Sequence, residues 1–350
     1  MRVLSAICSA ALLTALLTAT ALNAEEPARD PWLWPFDSKS IWNMPIGSGA
    51  VYVPAGLGAA KTTNIDTELL YRVPAGSPER KFFAPKSWET RAGGTKYMGN
   101  IPIPDDLIVP DARKFFTPNN CAAFLMPDGK TLKHVAPLCR VEAGGPVFGY
   151  PFRPDTDLFG DGVYGSHGAS ALSALGGSIR LGELTAPGPI RHALKVDIFC
   201  ARYCYFGDDR KGFRWPATRA DSYAAKLYKG TNKAVVMGSL LAIPPTVTAE
   251  SLALKTPLAR KLFEALRDYG AYVVDDAAWD CHYFCAEDGV AAEVEKSYGF
   301  KFDGKSKELL ADINALFKAL SVVDNNAADA VGGGGTPRAP LAPPLVRPAK

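Results

Sequence analysis

Only four histidines occur in the 350 residues, and two of them, His167 and His192, fall between Asp155 and Asp197. The same stretch gathers several carboxylates and places seven glycines before Glu183. Glycine at this density allows positive φ and close backbone approach, which functional loops need more than packed cores do. His167 stands in Gly165-Ser166-His167-Gly168, and a glycine-flanked loop histidine suits acid–base or positioning work. Asp155, Asp157 and Asp161 share one loop with Gly160 and Gly162, as in a calcium loop whose oxygens come from a flexible segment. The pattern departs from an EF-hand, because Phe159 and Ser166 stand where ligands belong. Calcium is therefore the one cofactor the spacing suggests, and no other is required; a solvated acidic turn is the alternative.

A second constellation follows. Ser178–Leu184 and Ile190–Phe199 read as strands flanking the loop 185–189, a hairpin. Ile190, Leu194, Val196 and Ile198 share a parity with His192, and Ile179 and Leu181 share one with Glu183. If both apolar faces point inward, Glu183 meets His192, either as an acid–base pair or as a structural buried pair. Trp215 and Arg219 interleave in Arg214–Asp221, a combination that fits sugar stacking and carboxylate binding as well as ordinary packing. Asp275-Asp276 ends an apolar run, where it can serve catalysis or solvation. No G-x-S-x-G, H-E-x-x-H, P-loop or dinucleotide fingerprint occurs, which removes the main serine-hydrolase, zincin, NTPase and NAD-enzyme readings.

These residues need elements to hold them. The composition is 47% hydrophobic and 21% charged, with 32 Gly and 28 Pro, which is ordinary globular chemistry. Gly and Pro punctuate residues 50–250 every eight to twelve positions, so the expected fold is β-rich, a sandwich or barrel of many short strands rather than βαβ units. Val235–Ile243 is the strongest buried-strand candidate. Two helices close the α+β C-terminal side: one carries Leu258, Leu262, Leu266 and Tyr269 and stops at Gly270, and the other spans Lys305–Leu320. Residues 25–45 form a Trp- and Pro-rich arm. One domain spans 25–324, and 325–350 reads as a flexible Gly- and Pro-rich tail.

Residues 1–24 carry one charge, at Arg2, then an apolar stretch and an Ala19-Thr20-Ala21 cleavage pattern, so they read as a signal peptide. Export to the cell exterior or periplasm is expected, without membrane insertion, since no later segment approaches 18 unbroken apolar residues. A net charge of +3 gives no excess of cations for nucleic acid. Beyond Cys8, six cysteines remain: Cys121, Cys139, Cys200, Cys204, Cys281 and Cys285. In an oxidising compartment they suggest three disulfides, with Cys121 paired to Cys139; the two C-x₃-C pairs could instead hold zinc. Residues four apart on a strand lie about 13 Å apart, so each C-x₃-C pair either sits in a turn or bonds to the other pair.

Ser40–Gly47, Asp157–Gly162 with Gly165–Gly177, and Asp268–Asp275 resemble a group of exported microbial proteins associated with polysaccharide breakdown. The likeness spans roughly residues 35–280 and implies a secreted, glycan-related role with a polysaccharide or oligosaccharide partner. The first functional expectation is a glycoside hydrolase in which Glu183 and Asp161 form the carboxyl pair and His167 and His192 position substrate or tune them. A polysaccharide lyase is the second. His167, His192 or Tyr164 would be its base, and Arg180 or calcium would neutralise a uronate. A non-catalytic carbohydrate-binding or envelope protein is the third. Substrate contacts are expected from Arg180, Tyr164, Trp215 and Arg219.

Overall fold

The structure is a computed structural model that describes residues 29–87, 89–110 and 120–347. The signal-peptide reading of 1–24 lies outside the described residues. The fold is β-rich. Its strands are β1 (Tyr52–Pro54), β2 (Thr62–Arg72), β3 (Glu79–Phe83), β4 (Tyr97–Pro102), β5 (Cys121–Leu125), β6 (Thr131–Val135), β7 (Val147–Phe148), β8 (Pro151–Asp157), β9 (Leu194–Ile198), β10 (Leu240–Ala242), β11 (Ala271–Asp276), β12 (Cys281–Glu287) and β13 (Ser321–Val323). Helices are α1 (Cys200–Tyr203), α2 (Ala224–Leu227), α3 (Pro257–Asp268), α4 (Val290–Tyr298) and α5 (Lys307–Ala319).

Ten strands form one open sheet in the order β1-β13-β10-β11-β9-β12-β2-β5-β6-β8, and β4-β3-β7 form a smaller one. The large sheet is mixed: β9 runs parallel to β11, and β2 runs parallel to both β12 and β5. Parallel pairs need long crossovers, and α3 lies in the one between β9 and β11. The punctuation rhythm in the sequence therefore reports short strands correctly but not their connectivity. Of Val235–Ile243, only Leu240–Ala242 is strand.

The C-terminal side carries three helices rather than two: α3 and α5 fall in the segments expected to be helical, and α4 lies between them. Pro257 opens α3, and Thr256 caps it by accepting from the Ala259 amide at 3.2 Å. Leu258, Leu262, Phe263 and Leu266 are its buried stripe, and Leu309, Ile313, Leu316 and Phe317 are that of α5. Asp312 of α5 accepts from the Thr256 amide and hydroxyl at 2.7 and 2.8 Å, tying the two helices together.

Two segments depart from their compositional reading. The Trp-rich arm is stapled to the glycine-rich loop: Phe36 donates its amide to Leu158, and Trp42 Nε1 donates to Gly162 at 2.7 Å. A Cβ at Gly176 or Gly177 would lie 2.3 or 2.5 Å from the Trp42 ring, so these glycines are seats for an aromatic. Residues 331–339, read as tail, run against residues 45–52; the Gly47 amide donates to Gly332 and the Ser48 amide to Thr336. The stretch Ser178–Leu184 is not a strand. It folds as turns from Leu181 onward, and Ile179 makes only an isolated bridge to Ala286.

Among the described residues one disulfide occurs, Cys200–Cys204, with Cα atoms 4.4 Å apart across α1. Cys121, Cys139, Cys281 and Cys285 are buried thiols, so the expected Cys121–Cys139 bridge is not formed. Cys121 points from β5 toward the Ser166 carbonyl, 3.4 Å away. No described helix is long and apolar enough to cross a membrane.

Candidate functional site

The central strands β11-β9-β12-β2 carry ionisable residues inside apolar runs. On β9, Leu194, Val196 and Ile198 enter one hydrophobic core, so alternation sends Lys195 and Asp197 to the other face, where both are also buried. On β2, Asp66 and Glu68 share a face by the same alternation. On β12, Phe284 and Ala286 join that same core while Cys285 joins the opposite one. β11 needs one more device. Its register against β9 slips between Val273 and Asp275, a bulge that brings Asp275 opposite Asp197. With Tyr283 paired to Asp197 and Cys285 to Asp66, the four strands place Asp275, Asp197, Tyr283, Cys285 and Asp66 in one band.

This band borders a cavity of about 680 Å³. Five aspartates line it, Asp66, Asp197, Asp221, Asp275 and Asp276, together with Arg219, Gly168 and the aromatic residues Tyr223, Trp279 and Tyr283. Trp279 is 47% exposed, and its ring centroid lies 6.0 Å from that of Tyr283, giving an apolar rim. Asp276 accepts from the Cys200 amide at 2.9 Å and from Tyr223 Oη at 3.3 Å; Asp221 accepts from Tyr228 Oη at 2.6 Å.

Beneath the cavity lies a wholly buried ionic chain. Lys195 Nζ donates to both oxygens of Glu68 at 2.6 and 2.7 Å and to the Ser173 and Ala174 carbonyls at 2.8 Å. Glu68 also bonds Ser178 Oγ and, at 2.6 Å, His167 Nε2. His167 Nδ1 is 3.8 Å from Asp275 Oδ2. Lys195, Glu68, His167 and Asp275 thus alternate in charge from the core to the cavity.

Burial and mutual repulsion spread the protonation of these acids. Burial first, then the charge of Asp275, pushes Asp197 up to about 8 and Asp221 up to about 7. Burial, opposed by the Cys200 amide and helped by Asp275, pushes Asp276 up to about 6. Burial and Asp197 hold Asp66 well above the ordinary carboxyl range. Burial disfavours the His167 imidazolium, yet its acidic neighbours, Cys121 and Asp275 among them, hold it well above its ordinary value. Near neutral pH the cavity therefore presents protonated and ionised carboxyl groups side by side, the condition for general acid–base work.

Of the residues singled out in the sequence, the structure brings four to this cavity or directly behind it: Asp275, Asp276, Arg219 and His167. Arg219 lines it and reaches the His167 carbonyl at 3.5 Å, while His167 is buried directly behind it next to lining Gly168. Glu183 and His192 do meet, with Nε2 3.1 Å from Oε2, but away from the cavity. Burial opposes the pairing, yet His192 lowers Glu183 and Glu183 raises His192, so they form an ion pair. Arg180 is buried, bonding Glu287 at 2.9 Å and the Trp32 carbonyl. Tyr164 packs near Phe152, and Trp215 packs against a core cluster. In the proposed calcium loop, Asp155 is engaged by Lys133 and Arg153, Asp157 by Arg347 and the Phe159 amide, and exposed Asp161 by the Val163 amide. His282 is stacked at 4.0 Å on Phe317 in the core.

The residues missed are Asp66, Asp197, Asp221, Glu68, Lys195, Tyr223, Trp279 and Tyr283. For the strand residues a signal was present: Asp66-Thr-Glu68 and Lys195-Val-Asp197 each put two ionisable groups at one parity. No protein-family model matches the chain, and no match was found among curated proteins or solved structures.

Proposed function

We propose that this chain is an exported glycoside hydrolase acting on a neutral glycan. The observation that carries the reading is the cavity in which five aspartates, among them Asp197, Asp221 and Asp276 raised to about 8, 7 and 6, face an aromatic rim of Tyr223, Trp279 and Tyr283. Glycosidic hydrolysis needs one protonated carboxyl group to release the leaving oxygen and one ionised carboxylate to act as nucleophile or to activate water. Asp221 is the acid in this reading, because it is raised toward neutrality and Tyr228 occupies only one of its oxygens. Asp275 takes the second carboxyl role in this reading, its Oδ2 lying 3.8 Å from His167 Nδ1. Trp279 offers a flat apolar face to a sugar ring.

A uronate would meet several carboxylates here and a single guanidinium, Arg219, which favours a neutral substrate over the anionic substrate of a lyase. The full chain is incubated with a panel of neutral and acidic polysaccharides. New reducing ends without ultraviolet absorbance are expected from a neutral member. An unsaturated, absorbing product would replace this reading with lyase chemistry. Affinity without any product would make the cavity a binding site only.

A further inference from the structure

We propose that Asp66, Asp197 and Cys285 form a binding site for a divalent transition metal of zinc-like softness at the floor of the cavity. One ligand atom from each of the three lies within 4.8 Å of the others. A ring nitrogen of His167 and an oxygen of Glu68 fall within the same limit of one another and of the Cys285 sulfur, so the thiol is the hub of the cluster. Ligands at about 2.0–2.3 Å from a tetrahedral ion stand about 3.3–3.8 Å apart, within the 4.8 Å limit that the trio meets.

One further observation points to an occupant. Asp66 Oδ2 is sealed from water and accepts no hydrogen bond from any described residue, although Asp66 lines the cavity. An oxygen in that position loses its solvation without compensation, and a cation at the floor supplies it. Glu68 stays outside the site, because its oxygens are both occupied by Lys195 Nζ while one also holds His167 Nε2.

The donor set decides the metal. Oxygen-only sites suit Ca²⁺ and Mg²⁺, whereas a thiolate with carboxylates and an imidazole nearby selects Zn²⁺ or Co²⁺. The site stands independently of the hydrolase reading, because its test needs no glycan.

The full chain, reduced and stripped with chelator, is titrated with Co²⁺ alone. One equivalent is expected to bind, with visible ligand-field bands and a near-ultraviolet thiolate-to-cobalt band, and Zn²⁺ is expected to displace it. Cys285→Ser is expected to abolish the thiolate band. Asp66→Asn, at a cavity-lining position, is expected to weaken binding at least tenfold while circular dichroism stays unchanged. Absence of stoichiometric binding overturns the proposal, as does a thiolate band that survives in Cys285→Ser. Should Cys285→Ser not fold, X-ray absorption of the Co²⁺-loaded wild type decides: one sulfur neighbour supports the site and none overturns it.

Discussion

Asp197 on β9 and Asp275 on β11 face each other as direct cross-strand partners because the β11 register slips past Val274. Without that slip Val274 would oppose Asp197. The bulge therefore concentrates carboxyl groups at the centre of the sheet. Each acid there carries a consequence that can be measured.

The first concerns stability. Asp197, Asp221 and Asp276 sit at about 8, 7 and 6 in the folded chain, above the roughly 3.9 of an unfolded aspartate. The folded state then binds protons more tightly than the unfolded state. The favourable contribution is complete below the unfolded value and is lost as pH rises through the folded values. Melting temperature is expected to fall from pH 5 to pH 8, with buried Asp197 contributing up to about 1.4 kcal/mol per pH unit. Scanning calorimetry of wild type and Asp197→Asn tests this; equal slopes would remove Asp197 as the source.

Activity has its own pH signature. If Asp221 is the acid, the rate declines as pH rises through about 7. Asp221→Asn is expected to lose about 10²–10⁴ in kcat, as for other general acids, and to flatten that alkaline limb. Asp275→Asn is expected to be inactive with the fold retained. Reducing-end kinetics from pH 4 to 9 report both, and an unaltered limb in Asp221→Asn would assign the acid elsewhere.

The buried chain under the cavity should be fragile to single changes and tolerant of a paired one. Lys195→Met leaves buried Glu68 with His167 as its one remaining cationic partner, at an expected cost of about 3 kcal/mol. Adding Glu68→Leu should recover part of that loss, because the under-compensated carboxylate is gone. Denaturant midpoints of the two single variants and the double variant form the test.

Glu183 and His192 lie outside the cavity, so Glu183→Gln should keep its turnover and lose only about 1 kcal/mol of stability. Loss of activity with an intact fold would return this pair to the site.

Trp279→Ala removes the exposed ring of the rim. KM for an oligosaccharide is expected to rise about tenfold, equivalent to about 1.4 kcal/mol, with kcat little changed. A fall in kcat alone would mean that Trp279 does not hold the sugar.

Local rules read much of this chain correctly. The stripes of α3 and α5 were visible because helical burial repeats every three to four residues, whatever lies opposite. The meeting of Glu183 with His192 was also legible, since both lie within one short stretch of chain, although that stretch turns rather than pairs as strands. The sequence by itself determined that the protein is β-rich and that its four histidines are few enough to place. Tertiary structure alone decided which acids meet across the sheet. Asp66, Asp197 and Asp275 come from strands far apart in the chain and become neighbours through sheet order and one bulge. Glycine density around His167 was ambiguous for the same reason. A glycine leaves room, and only the folded chain shows that at Gly176 and Gly177 the room belongs to Trp42, while at Gly168 it opens to the cavity.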